Sequence, residues 1–498
     1  MTKQSEFDKV LSSKDILVIA FGAMIGWGWV ISTGDWINRG GALGAAIGFV
    51  LGGIMIFFVG LTYAELTAAM PQCGGEHVFS YKAMGATGSF VCTWGIILGY
   101  VGVVCFEACA FPTIISYIFP GFLKGYLYTV AGFDVYASWL ALASVTAALM
   151  AFVNIMGAKT AAVVQTILTA IIFGVGVLLI GTSTVRGEMG NLMPQLFAGN
   201  GNQSMLSHVL HVAVMTPFFF IGFDVIPQAA EEIQGSLKKI GKILIMSIVM
   251  AVAFYSLVIL AVGYMMSSTE IKASMSGAGL VTADAMAKAY GTKKMADVVI
   301  IGGLCGIVTS WNSFMIGGSR AMYSMADSNM IPKAFAKLHP KYKTPVNALL
   351  LIGVISMLAP LAGRQMLVWI CDAGNLGCCL AYCMVSISFL ILRRKEPDMP
   401  RPYRVKHYKF VGIMATVLSG GMVSMYMIPG SGSTLAVQEW LMAGGWALMG
   451  AIFFVINKKK YGEQFGKHLD IAVEYSVEDL EALRTHSEVR SVNEIRVS

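Results

Sequence analysis

Three glycines within seven residues, Gly22, Gly26 and Gly28, interrupt an otherwise apolar stretch spanning 15–36. Glycine at that density weakens a helix by roughly 1 kcal/mol per residue. Away from water an opened backbone must find other partners. Bared N–H groups near Gly26, Trp27 and Gly28 end a half-helix at its positive pole, which suits an anion. The competing reading is that small residues here only let helices pack closely. A second stretch, 214–233, carries Pro217, Gly222 and Pro227, with Asp224 at the break. A carboxylate at mid-membrane depth costs about 2.5–3.5 kcal/mol on insertion scales and is functional by default. Asp224 is expected to brace the broken segment through hydrogen bonds, with proton carriage as the alternative. Glu107, within VCFEACAFP, binds a cationic amine if it faces a pocket, or is a paired structural acid if it faces a helix.

The elements that position these residues follow from composition. Of 498 residues, 56% are hydrophobic and only 13% charged, about half the charged share of a soluble chain. This is an integral membrane protein. The net charge of +7 does not mark a nucleic-acid binder, because the basic residues lie in short loops between apolar runs. The nine cysteines show no metal-ligand spacing, and those inside apolar runs read as small packing residues without disulfides. No cleavable signal peptide is evident.

Twelve apolar stretches lie near 15–33, 43–69, 88–118, 136–156, 160–181, 207–233, 244–266, 295–325, 346–362, 366–392, 410–428 and 436–456, each near the ~20 residues a span needs. Lys9 and Lys14, Lys238 to Lys242, Lys333 to Lys343, Arg393 to Lys409 and Lys458 to Lys460 all fall on the side of the N-terminus. That side is therefore read as cytoplasmic, with both termini on it. The stretch 267–294 is expected to form short helices over the outer mouth. Residues 458–498 form a polar tail in which Ser476 and Asp479 make a capping box, opening a short helix. The tail reads as a solvated appendage. Two interrupted apolar segments in corresponding halves of a chain mark the solute site of a membrane transporter.

Six motifs in this order resemble the amino acid–polyamine–organocation (APC) family of permeases. GAMIGWGWV (22–30) fits the first-helix pattern GxxIGxGxx. Tyr63-Ala-Glu-Leu66 with Pro71, Gly74, Gly75 and Glu76 fits the next signature, His77 replacing tyrosine. Asn154, Gly157, Lys159 and Gln165 fit the start of the fifth helix. Phe219 to Asp224 with Ala230-Glu231-Glu232 fit the broken sixth. Ser319-Arg320, Asp327, Pro332, His339-Pro340 and Thr344-Pro345 follow the eighth, and Arg401-Pro402-Tyr403 closes the run. The resemblance implies a LeuT-type, all-α membrane fold. It has twelve transmembrane helices: a 5+5 inverted repeat (about 15–181 and 207–392) with helices 1 and 6 broken, then two C-terminal helices within 393–457.

The resemblance also implies roles. An amino acid's carboxylate meets the first break, lined by Ala23, Ile25, Gly26, Trp27 and Gly28. Its ammonium meets carbonyls before Gly222, beside Phe220 and Ile221, and Phe218 closes over it as an outer gate. Trp27 and Trp29 shrink the pocket or give an ammonium an aromatic face. Lys159 is expected to reach the first and eighth helices and couple transport to protons, its competing reading being a lysine that snorkels to the surface. Thr309 and Ser310 are expected to face it, and Glu231 and Glu232 to form a solvated inner gate paired with a lysine or arginine. The expected function is secondary transport of a small amino acid across the plasma membrane, driven by protons or exchange. Its partners are substrate, protons and lipid, with no cofactor and no metal. An amine such as ethanolamine or a polyamine is the alternative substrate, and a transporter-like nutrient sensor is the alternative of another class. No P-loop, metal cluster or triad points to an enzyme.

Overall fold

The computed structural model describes residues 6–130, 133–193, 196–197, 205–276, 280–363, 366–429, 434–467, 473 and 475–485. A long apolar segment has one stable form away from water, the helix, which pairs its own backbone groups. All twelve apolar stretches contain helix. In chain order the helices are α1 Ser13–Met24, α2 Gly28–Ile31, α3 Thr33–Gly40, α4 Ala42–Ala69, α5 Glu76–Ile118, α6 Ala137–Ile155, α7 Ala158–Arg186, α8 Met189–Leu192, α9 Met205–Ala213, α10 Thr216–Phe220 and α11 Val225–Gln228. They continue as α12 Leu237–Met265, α13 Ser268–Ser276, α14 Val281–Tyr290, α15 Lys294–Asp327, α16 Val346–Leu358, α17 Met366–Lys395, α18 Tyr408–Met427, α19 Val437–Tyr461 and α20 Val477–Thr485. Among the described residues ten helical segments are long and apolar enough to cross a membrane. The ninth stretch is a shorter apolar helix, and the sixth is divided among α9, α10 and α11.

The molecule is an all-α membrane protein with one exception that periodicity did not foretell. A two-stranded antiparallel hairpin, β1 Tyr126–Val130 and β2 Phe133–Tyr136, links α5 to α6. Tyr128 on it donates to the Leu361 carbonyl at 2.7 Å. The α5 element joins two helices across Gly85, whose φ of +76° is not helical. Its longer part runs against α17 and α15. Small residues bring α5 and α17 to backbone contact: a methyl built on Gly95 would lie 3.1 Å from the Gly377 carbonyl oxygen, and one on Gly102 3.1 Å from that of Ile370. Close approach of this kind is how helices associate where lipid is as apolar as leucine.

Helices α13 and α14 lie where short helices were expected and pack on the second half of the first stretch. Thr282 donates to the Val30 carbonyl at 2.9 Å, and the Gly34 backbone sits against Met275 and Val281. Below the sixth stretch the N-terminal segment adds a parallel bridge, Leu11 to Ile233, with the Val10 and Leu11 N–H groups both donating to the Glu232 carbonyl at 2.9 Å.

The tail is not a solvated appendage. Ser476 and Asp479 form the expected capping box, with N–H and hydroxyl of Ser476 donating to Asp479 Oδ2 at 3.1 and 2.7 Å. The same carboxylate reaches across to the start of α12. It accepts from Ser236 Oγ at 2.8 Å, from the Lys238 N–H at 2.9 Å and from the Leu237 N–H at 3.2 Å. Glu478 pairs with Lys239 at 2.8 Å, and Leu480, Ala482 and Leu483 are buried. An α-helix begins with unpaired N–H groups and a positive pole; here a residue some 240 positions away supplies the acceptor. Burial alone would push the Asp479 carboxyl up, but hydrogen bonds from Lys238, Ser476, Ser236 and Leu237 outweigh it and hold it below the usual aspartate range.

A group held low stabilises the docked state above its unfolded value, about 3.9 for aspartate. The tail contact is therefore complete at neutral pH and fades as pH falls below that range. Asp479→Ala is expected to weaken docking by about 1 kcal/mol, the worth of a helix N-cap. Hydrogen exchange over 477–485 and 236–240 should rise severalfold in the variant, and unchanged protection would show that the carboxylate does not hold the tail.

Candidate functional site

The first stretch opens where its glycines predicted. Helix α1 ends at Met24, the Ile25 N–H donates to the Phe21 carbonyl at 3.0 Å, and α2 resumes at Gly28. Between them the N–H groups of Gly26, Trp27 and Gly28 make no backbone hydrogen bond. The carbonyls at this end are covered by side chains instead. Thr309 Oγ1 donates to Gly22 at 3.1 Å, Tyr255 to Met24 at 2.7 Å and Ser313 to Ile19 at 3.1 Å. The break thus keeps free donors, while its Gly22 and Met24 carbonyls are taken by side chains. Side-chain crowding explains the glycines. A methyl on Gly28 would sit 2.6 Å from the Phe219 ring, and one on Gly26 would sit 3.2 Å from Ser310 Cβ and 3.5 Å from Glu107 Oε1.

The sixth stretch opens in the opposite sense. Helix α10 starts on Pro217 and gives way to extended backbone at Ile221. Gly222 follows with φ +137°, a conformation costly for any residue with a Cβ. Its N–H donates to Asp224 Oδ1 at 2.8 Å, and Tyr100 donates to the Asp224 carbonyl at 3.1 Å. The carbonyls of Phe218, Phe219, Phe220 and Ile221 accept no backbone hydrogen bond. This break keeps those acceptors, while its Gly222 N–H is taken by Asp224. The two breaks meet at Gly222, where a methyl would lie 2.6 Å from Ala23 Cβ and 3.0 Å from the Met24 nitrogen.

The structure therefore gathers Ala23, Gly26, Gly28, Gly222, Glu107 and Ser310 around one crossing. Ile25 and Ile221 are buried in its walls. Phe218 is half-buried and meets Phe106 and Phe219 edge-on, while fully buried Phe220 packs on Phe49 and Tyr255. Asp224 is buried and accepts from the Gly222 N–H across the break. Glu107 is 2% exposed, and its Oε2 has no hydrogen-bond partner. Sequence reasoning missed Phe219 and Tyr255, which close on Gly28. Their signal was faint: one phenylalanine of three in a row, and a tyrosine in an apolar helix.

Several expectations need correcting. Lys159 lies in the first turn of α7, exposed, because an ammonium one turn from the helix end reaches water more cheaply than the interior. No described lysine is buried. The space between α7, α1 and α15 is filled by neutral amides and hydroxyls. Asn312 donates to Gln165 Oε1 at 3.0 Å and accepts from Asn154 at 3.0 Å, and the Gly22 backbone lies against Gln165 and Thr169. Thr309 accordingly faces Gly22 and Ser310 faces Gly26, neither facing Lys159. Trp27 is set into the notch at Gly303 on α15, and Trp29 meets Phe254 edge-on at 5.5 Å. Both rings are buried as packing. Glu231 and Glu232 are likewise not solvated. Arg320 grips Glu232 through Nε at 2.8 Å and Nη2 at 3.3 Å, and Glu231 accepts from the Cys73 N–H at 2.8 Å. They form a buried tie beneath the crossing.

Comparison with known proteins places the chain among permeases. The amino acid permease family model matches residues 11–453. The chain is 25% identical to the branched-chain amino acid permease BcaP of Bacillus subtilis (strain 168), over 92% of this chain and 95% of that protein. It is 26% identical to the aspartate-proton symporter of the same organism, over 85% and 80%. It is 24% identical to that organism's methylthioribose transporter, over 92% and 95%.

The bracing role of Asp224 predicts a ranking. Asp224→Asn keeps the acceptor for Gly222 and should stay within about 1 kcal/mol of the parent, whereas Asp224→Leu strands a buried N–H at about 1–3 kcal/mol. Thermal unfolding in detergent ranks the two, and equal losses would refute the role.

Proposed function

Because the chain belongs to the amino acid permease family, we propose that it carries a small amino acid across the plasma membrane by alternating access around the crossing of the two breaks. The observation that carries this reading is that open donors of one break and open acceptors of the other flank one crossing. Free N–H groups at Gly26–Gly28 suit a carboxylate, and free carbonyls at Phe218–Ile221 suit an ammonium. A zwitterion brings both at the spacing of one α-carbon. Gly222 lets the breaks approach without an intervening side chain, and Phe218 serves as the outer gate. The Arg320–Glu232 pair and the Leu11–Ile233 bridge serve as the inner gate.

On this reading the ten helices within 15–392 form the LeuT-type core with its inverted repeat, and the helices within 393–457 flank it. Residues 1–14 and 458–498 face the cytoplasm, where the basic loops collect. Transport is driven by protons or by exchange. The protein performs no enzymatic chemistry and uses no cofactor. A permease for an amine without a carboxylate, such as ethanolamine or a polyamine, is the second reading, favoured by the Glu107 carboxylate beside Gly26.

Purified protein in proteoliposomes decides between them. Radiolabelled leucine, aspartate, histidine, lysine, ethanolamine and putrescine would be offered with and without an inward proton gradient. Amino acid uptake that the gradient accelerates at least severalfold is the expected result. Uptake of the amines alone would replace it with the second reading. Folded protein that takes up nothing would overturn both in favour of a sensor.

A further inference from the structure

Glu107 is used by neither break, yet it stands at their meeting point. A methyl built on Gly26 would lie 3.5 Å from Glu107 Oε1 and 3.4 Å from the Ser310 hydroxyl. Its Oε2 is buried without a partner. Its neighbours supply no positive charge. From α12 it is faced by the Tyr255 phenol, and from α15 by Ser310. From α17 it is faced by Cys371, with Asp372 and Glu439 of α19 beyond, and Cys109 is on its own helix. The first and sixth stretches present only backbone and apolar rings here. None of the described lysines is buried. The buried arginines are engaged elsewhere, Arg320 with Glu232, and Arg393 and Arg401 with Glu65. An ionised carboxylate without a cation is not sustained in a sealed, dry site.

We propose that Glu107 is the proton carrier of this permease: its carboxyl must be protonated before an amino acid can seat its own carboxylate on the Gly26–Gly28 amides, so that one proton enters with each substrate. The proposal rests on the amino acid reading above. The location is what decides between a proton carrier and a receptor for a substrate amine. Glu107 stands on the donor side of the crossing, where the anion goes. The acceptor side, at Phe218–Ile221, already provides for an ammonium. Two carboxylates about 5 Å apart at an effective dielectric near 20 lower affinity on the order of a hundredfold. Protonation removes that repulsion and turns the oxygen into a donor toward the substrate. The proton comes from external water while the site is open outward and stays on a Glu107 oxygen through occlusion. It leaves to cytoplasmic water once the inward-open site hydrates the carboxyl.

Wild type, Glu107→Gln and Glu107→Asp would be compared in proteoliposomes, with the amino acid the wild type binds best. Three readouts are needed: affinity by counterflow from pH 5.5 to 8.5, accumulation on an inward proton gradient, and external alkalinisation on substrate addition. In the wild type, affinity should fall about tenfold per pH unit above a threshold, with accumulation and alkalinisation both present. Glu107→Gln should bind with no pH dependence, equilibrate without accumulating, and move no protons. Glu107→Asp should keep coupling with a displaced threshold. A Glu107→Gln variant that still accumulates substrate on the gradient would overturn the proposal and leave proton-coupled transport intact. So would folded Glu107→Gln that binds at no pH, which would make the carboxylate a receptor for the substrate's cation. A wild type that exchanges amino acids but ignores the gradient and moves no protons would remove proton coupling as a whole.

Discussion

A peptide backbone has no water to fall back on inside a membrane. Every N–H and C=O released by a broken helix must be matched by something, and the organisation of this molecule follows from how that debt is met. At the first break the Gly22 and Met24 carbonyls are matched by Thr309 and Tyr255. At the sixth the stranded Gly222 N–H is matched by Asp224. The open Gly26–Gly28 N–H groups lie on one side of the crossing and the open Phe218–Ile221 carbonyls on the other. On the proposed reading the solute that meets both carries a negative and a positive end. The same accounting explains why polar side chains on α12 and α15, remote in sequence, turn inward to a stretch near the N-terminus.

What sequence could disclose was governed by locality. The glycines at 22, 26 and 28, the Pro217–Gly222–Pro227 run and the Ser476–Asp479 box act on backbone within a turn or two of themselves. Each did in the fold what its chemistry implied. What a side chain faces across the bundle was not legible in the same way. A helix that is apolar all round has no stripe to say which side meets protein, so the orientation of Glu107 was open and the burial of Trp27 in the Gly303 notch was hidden. Lys159 shows the cost of carrying a role over with a motif: the residue type matched, but its place in the first turn of α7 put its ammonium within reach of water. The docked tail was illegible for another reason. Asp479 had already been given a sufficient local partner in Ser476, and nothing nearby in the chain announced a second one at α12.

The end of the bundle that holds the N-terminal segment joins four separated pieces of chain at one spot. The N-terminal segment lies along Ile233, Arg320 of α15 holds Glu232, the loop after α4 offers the Cys73 N–H to Glu231, and α20 caps α12 a few residues on. Buried charged pairs add little net stability, because desolvation offsets their attraction, yet breaking one strands an uncompensated charge. The Arg320–Glu232 pair therefore gives the end of the sixth stretch two states rather than a continuum. It is either gripped and dry or released and hydrated.

The contact between α5 and α17 has a mechanical meaning. Helices separated by interlocked side chains slide when rotamers rearrange, so such a layer acts as a lubricant. Between Gly95 and Gly377 there is no such layer, and the two backbones bear directly on each other. The pair behaves as one laminated beam, stiff in shear, and cannot take up the relative motion that a site open to alternate sides demands. Strain imposed on the bundle is passed instead to its compliant joints, the glycine backbones at the two breaks, which are also where the proposed solute site lies.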